Sequence, residues 1–172
     1  MSVKLGFDDI SIRQDEWHLV QQDRDSFLQE LTAKRHRDAY QYWLTRSPDN
    51  RLPAREDLDP VDIHKLLPWI NLVDVVREKG NVRLRQRLIG TGLVQRFGRD
   101  ATGAWFDDIY HPDYLQDHCH LIREVAETGL PSLTRIRYPD QEKRHVIYTR
   151  LMLPLASDHK TTDMIMQVMV FD

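Results

Sequence analysis

Cysteine is almost missing from this 172-residue chain: Cys119 stands alone. A single thiol excludes an internal disulfide framework and a cysteine-built zinc cluster, and it suits a reducing, cytoplasmic setting. Long apolar runs are missing too. None approaches the ~20 residues that span a bilayer, so no membrane role is expected. The first residues, MSVKLGFDDISIRQDEW, carry acids early and have no apolar core, so no signal peptide is expected. A charge bias is also absent: 24 basic residues face 27 acidic ones, for a net charge of -3. That balance gives no general pull toward nucleic acid. No Ser-His-Asp spacing, HExxH, P-loop or dinucleotide fingerprint is present, so no residue is given a catalytic role and the chain is expected to be non-enzymatic.

What is present centres on VRLRQRLIGTGLVQRFGRDATG, Val82 to Gly103. Val82, Leu84, Gln86 and Leu88 alternate with Arg83, Arg85 and Arg87, the period of a strand. Gly90-Thr91-Gly92 breaks the run with residues that tolerate unusual backbone angles. Leu93, Val94 and Phe97 share a helical face, and Gly98 sits where that helix would stop. Upstream, a helix is expected from about 23 to 45, with Ser26 and Gln29 as a capping box and a broad stripe of Phe27, Leu28, Leu31, Ala39, Tyr42 and Trp43. Asp59-Pro60-Val61-Asp62 reads as a helix start, and that helix should end before Pro68. Strands follow at about 70–76 and 82–89 around a Glu78-Lys79-Gly80-Asn81 turn. A helix at about 112–128, closed by Gly129, precedes three strands at about 133–138, 146–155 and 164–171. Short loops between the last strands argue for an antiparallel sheet in an α+β domain.

Three phrases resemble a known family: LPAREDLDPVDIHKLLPWINLVDV, RLRQRLIGTGLVQRFGRDATG and YTRLMLPLASD. They are similar to the motifs of the single-domain PAS-like family common in alphaproteobacteria. The resemblance implies a five-stranded antiparallel sheet with helices over one face and an N-terminal helix packed outside. It divides the chain into an arm, 1–50, with one long helix, and a PAS-like domain, 51–172. It implies a sensory or signalling role and names no ligand. Gln86 departs from the family pattern, which favours an aromatic there, and so does Thr149, where an acid is common. His159-Lys160-Thr161-Thr162 replaces a glycine-containing turn.

With that resemblance, Leu84, Gln86 and Leu88 face the helices. A glutamine among leucines needs partners, from a ligand or from neighbouring side chains. Gln86, Leu88, Phe97, Trp105, Tyr114, Tyr148 and Thr149 are the candidates for lining a ligand pocket, and the aromatics among them serve equally as core. Arg83, Arg85, Arg87, Arg135, Arg137 and Arg150 read as a solvated face paired with acids such as Glu78 and Glu142, not an anion site. His118 and His120 do not share a helical face, and His111 only precedes Pro112, so no metal site is expected. Cys119 lacks the asparagine-rich setting of a photoreactive cysteine. No haem or flavin is expected. Two readings stay open: a sensor holding a small molecule, or a ligand-free adaptor acting through dimerisation. Either is expected to need a signalling protein partner. Phe27, Leu28 and Leu31 carry more apolar surface than a lone helix leaves wet, so they are the candidate interface of a homodimer.

Overall fold

The computed structural model describes residues 17–19, 24–47, 51–110, 112–139 and 145–172. Six strands form one antiparallel sheet: β1 (Trp17–Leu19), β2 (Ile70–Glu78), β3 (Asn81–Ile89), β4 (Ser132–Pro139), β5 (His145–Leu155) and β6 (Met164–Phe171). Their order is β1-β4-β5-β6-β2-β3. The five long strands are the expected five-stranded antiparallel sheet. Short β1 adds a sixth at the edge, pairing Trp17 with Thr134 and Leu19 with Ser132. It covers part of an edge of β4 that would otherwise leave backbone N–H and C=O groups open. Three residues are too few for a period, so the sequence carries no sign of it.

The turns follow from local chemistry. Lys79 and Gly80 are both left-handed, at φ 48° and 81°, as a tight hairpin between β2 and β3 requires. The β5–β6 hairpin has no glycine; His159 takes the positive φ, 62°. Asp158 steadies that turn by accepting from the backbone N–H of Lys160 at 2.8 Å and of Thr161 at 2.7 Å.

Among the described residues five α-helices accompany the sheet: α1 (Arg24–Glu30), α2 (Lys34–Thr45), α3 (Thr91–Phe97), α4 (Phe106–Ile109) and α5 (Pro112–Thr128). Gly98 closes α3 in a left-handed conformation. The long N-terminal helix is two helices, not one. Ala33 is extended (φ -76°, ψ 130°), and Arg37 donates back to the carbonyls of Leu31 and Thr32. The fold-back sets Phe27 edge-on to Tyr40, ring centres 4.9 Å apart. Ser26 therefore lies inside α1 and not at its cap. Asp59 accepts from Val61 N–H at 2.9 Å, but it closes a turn and caps no helix. The chain after it runs through turns into a 3-10 turn, Leu67–Trp69, which contains Pro68; no α-helix forms there.

Alternation along the strands separates two faces. On the outer face Leu72, Leu151, Leu153, Met166 and Val168 pack against Phe27, Leu31, Ala39, Tyr40 and Trp43. Trp43 Nε1 donates to Pro154 O at 2.9 Å, and His36 Nε2 is 3.0 Å from Val168 O. Arg35 donates to Met169 O at 3.0 Å while its guanidinium lies 4.4 Å from the centre of the Trp69 ring. Phe27 and Leu31 are each 2 % exposed within this cluster. The surface expected to dimerise is thus covered by the chain's own sheet, with Leu28 half-buried at its border. On the inner face Val73, Val75, Leu84, Met152 and Ile165 pack against Phe106, Cys119, Ile122 and Val125.

Candidate functional site

The site lies where the inner face of the sheet meets α3, α4 and α5. Its geometry depends on one irregularity. Leu72 pairs with Leu88 and Val73 with Gln86, so Arg87 is an extra residue in β3. A bulge of this kind shifts the inward and outward positions beyond it. Leu84 and Gln86 point inward and are 1 % and 3 % exposed, whereas Leu88 points outward and is 40 % exposed. Leu88 therefore leaves the pocket set.

The other sequence candidates divide. Tyr148 is buried on the inner face, with Phe97 edge-on at 5.8 Å and Phe171 at 5.4 Å. Trp105 is not in this cluster. It bridges to Arg85 at the free edge of β3, and its ring lies under the Arg83 guanidinium at 4.1 Å and the Arg85 guanidinium at 5.2 Å. Thr149 alternates with inward Tyr148 and falls on the outer side, opposite Val170 and Arg135. Tyr114 and His118 lie on α5 with side chains outside the described residues, and His111 is itself outside the described residues. His120 is exposed. The surface arginines pair as expected in kind, though with other acids: Arg83 with Asp107 at 2.9 Å, Arg85 with Asp74 at 2.8 Å, and Arg135 with Asp172. Arg150 is the exception. It alternates with Tyr148 and Met152, faces inward and is fully buried.

The polar groups on the inner face went unread in the sequence, apart from Gln86. Asn71 Nδ2 donates to Gln167 Oε1 at 3.0 Å, and Gln167 Nε2 reaches Met152 Sδ at 3.7 Å. Gln86 hydrogen-bonds the Tyr110 hydroxyl. Burial pushes that phenol up to about 12, with Tyr148 nearby adding to the shift while Gln86 and the Arg150 charge oppose it. Tyr110 is therefore a neutral hydrogen-bonding group at any ordinary pH. Burial likewise pushes the Cys119 thiol up to about 11, so it stays protonated. Asn71 and Arg150 did leave a signal: each is a polar residue in a run that is otherwise apolar. Thr134 lies in the mixed run of β4 and left none. Tyr110 left none.

Three inner-face oxygens stand out among the described residues. Asn71 Oδ1, Gln86 Oε1 and Thr134 Oγ1 are buried and have no hydrogen-bond partner. A buried acceptor left open costs roughly 1–3 kcal/mol; those of Asn71 and Gln86 stand on neighbouring strands, whereas Thr134 lies three strands from Asn71. The described residues contain no group of three or more His, Cys, Asp or Glu side chains placed to hold a metal. No helix among them is long and apolar enough to cross a membrane.

Comparison with solved structures gives low similarity. An RsLOV variant aligns at 13 % identity and TM-score 0.46, covering 66 % of this chain and 69 % of that one. An RNA-binding Light-Oxygen-Voltage receptor aligns at 13 % identity and TM-score 0.46, over 65 % of this chain and 32 % of that one. The light state of the Aureochrome1 LOV photoreceptor aligns at 11 % identity and TM-score 0.44, over 67 % and 88 %. No curated protein matches the chain. The family comparison is decisive by its extent: the model of the PAS domain family matches residues 31–170, from the end of α1 through β6. With the antiparallel sheet and helical insert the sequence phrases imply, that match shows that this chain belongs to the PAS domain family, whose members are generally sensory or signalling domains.

Proposed function

We propose that the chain is a sensor that holds a small molecule between the inner face of its sheet and helices α3 to α5, and relays its presence to a partner protein. The observation that carries this reading is the pair of open, buried oxygens on Asn71 and Gln86, which stand on neighbouring strands. In a filled, ligand-free core these groups would be paired or replaced by apolar ones. The aromatic wall of Tyr148, Phe97 and Phe171 and the apolar residues around Gln86 supply the remainder of such a lining.

Native mass spectrometry of freshly purified protein tests it. The expected result is a retained non-covalent mass that is lost from Gln86→Leu, with the variant still folded. The adaptor reading predicts the opposite pair: a clean apo mass, and a Gln86→Leu variant that melts higher because an unsatisfied acceptor has been removed.

A further inference from the structure

We infer that the molecule held at this site presents hydrogen-bond donors along one edge of an apolar body, as an amide or an N–H-bearing heterocycle does. The inference rests on the sensor reading above and concerns the chemistry of the occupant.

The open groups set the polarity. Asn71's amide is fixed in orientation: its Nδ2 donates to Gln167 Oε1, and Gln167 in turn directs its own Nε2 at Met152 Sδ. Reversing Asn71 alone would set carbonyl against carbonyl, and reversing both would aim the Gln167 carbonyl at a sulfur that cannot donate. The open atom on Asn71 is thus an oxygen, an acceptor. Gln86 uses its amide on the Tyr110 hydroxyl and keeps Oε1 open. The two acceptors stand on neighbouring strands. Gln86 is directly opposite Val73, and Asn71 is two residues before Val73 on the same face. Such diagonal positions lie about 7–8 Å apart, a span that one ring with a substituent crosses.

A molecule that turned acceptors toward Asn71 Oδ1 and Gln86 Oε1 would meet two carbonyl oxygens and leave them unanswered. A donor edge answers both. Val73, Leu84, Phe106, Met152 and Ile165 around these groups suit an apolar body behind the donor edge.

The test uses the full chain and a panel of neutral donors, namely nicotinamide, benzimidazole and uracil. Each is paired with its fully N-alkylated counterpart, which keeps the ring and lacks the N–H donors. Dissociation constants are read by saturation-transfer NMR and thermal shift. The expected result is that at least one donor binds tenfold or more tightly than its counterpart, and that Asn71→Leu and Gln86→Leu each weaken it tenfold or more. Circular dichroism confirms that both variants are folded. Alkylated counterparts binding as well as the donors would overturn the inference. So would a molecule retained in native mass spectrometry that has no N–H or O–H donors; in that case the sensor reading survives and only the ligand class fails. No retained mass and no binding by any panel member would remove the sensor reading itself.

Discussion

His36 shows how one side chain can tie the outer layer to pH. It is buried under α2 against Val168 O, and burial, with Arg35 adding to it, lowers its pKa to about 4. In the unfolded chain a histidine titrates near 6.5. Between these values the unfolded chain binds the extra proton and the folded one does not. Stability therefore rises with pH through that window and is lost on acidification from about 6.5 to 4. The full loss corresponds to about 3 kcal/mol. Urea melts at pH 7 and pH 4.5 should differ by most of that amount beyond the drift of a His36→Gln variant. An equal drift in both proteins would show that His36 does not control the acid limb.

At the scale of elements, Gly90 joins β3 to α3 through a close backbone approach. Its φ of -62° is ordinary, so its value is not the conformational freedom the sequence suggested. It is the absence of a side chain: a Cβ there would lie 2.3 Å from Leu67 O and 2.4 Å from Pro68 O. Both obstacles are backbone, and Gly90 N–H is held to Ile70 O at 2.8 Å, so neither side can move freely. Gly90→Ala should cost at least 1–3 kcal/mol by overpacking, whereas Gly80→Ala, with nothing within 4 Å, should show only the strain of its positive φ. Denaturant midpoints of the two variants separate steric from conformational cost.

The same scale explains what the sequence could and could not tell. Strands β2 to β6, α3 and α5 were legible because each carries a clear period bounded by glycine, proline or a turn cluster. The break between α1 and α2 was not, because Leu31-Thr32-Ala33 contains no breaker and only the return of Phe27 onto Tyr40 requires it. Leu88 was misplaced because strict alternation has no means of anticipating the extra residue at Arg87. Trp105 was read as pocket from its size, whereas its setting is two arginines at a sheet edge. Gln86 was legible because a polar residue between inward leucines must be answered by something. Its companions did not read as a set because Asn71, Thr134 and Arg150 lie on three other strands, and only the strand order brings them to one face.

For the whole molecule, the decisive fact is that both faces of the sheet are covered from within the chain. The outer cover is the α1–α2 pair, and it is built as core: Trp43 is hydrogen-bonded to Pro154 O, Tyr40 stacks on Trp43 at 5.9 Å and its hydroxyl reaches Arg24 O at 3.1 Å. A side chain serving as a dimer contact would lose affinity for the partner copy on truncation and leave each protomer's stability nearly unchanged. A side chain in this cover should do the reverse. Leu31→Ala is therefore expected to lower unfolding stability by about 2–5 kcal/mol and to leave the oligomeric state of the folded protein as it was. Urea melts paired with light scattering read both quantities on the same sample. A variant of unchanged stability that falls from dimer to monomer would return Phe27, Leu28 and Leu31 to an interface between copies. The expected result makes α1 and α2 a fixed part of each protomer. A line of contacts joins the inner-face aromatics to α2: Tyr148 lies 5.4 Å from Phe171, Phe171 6.2 Å from Trp69, and the Arg35 guanidinium 4.4 Å from Trp69.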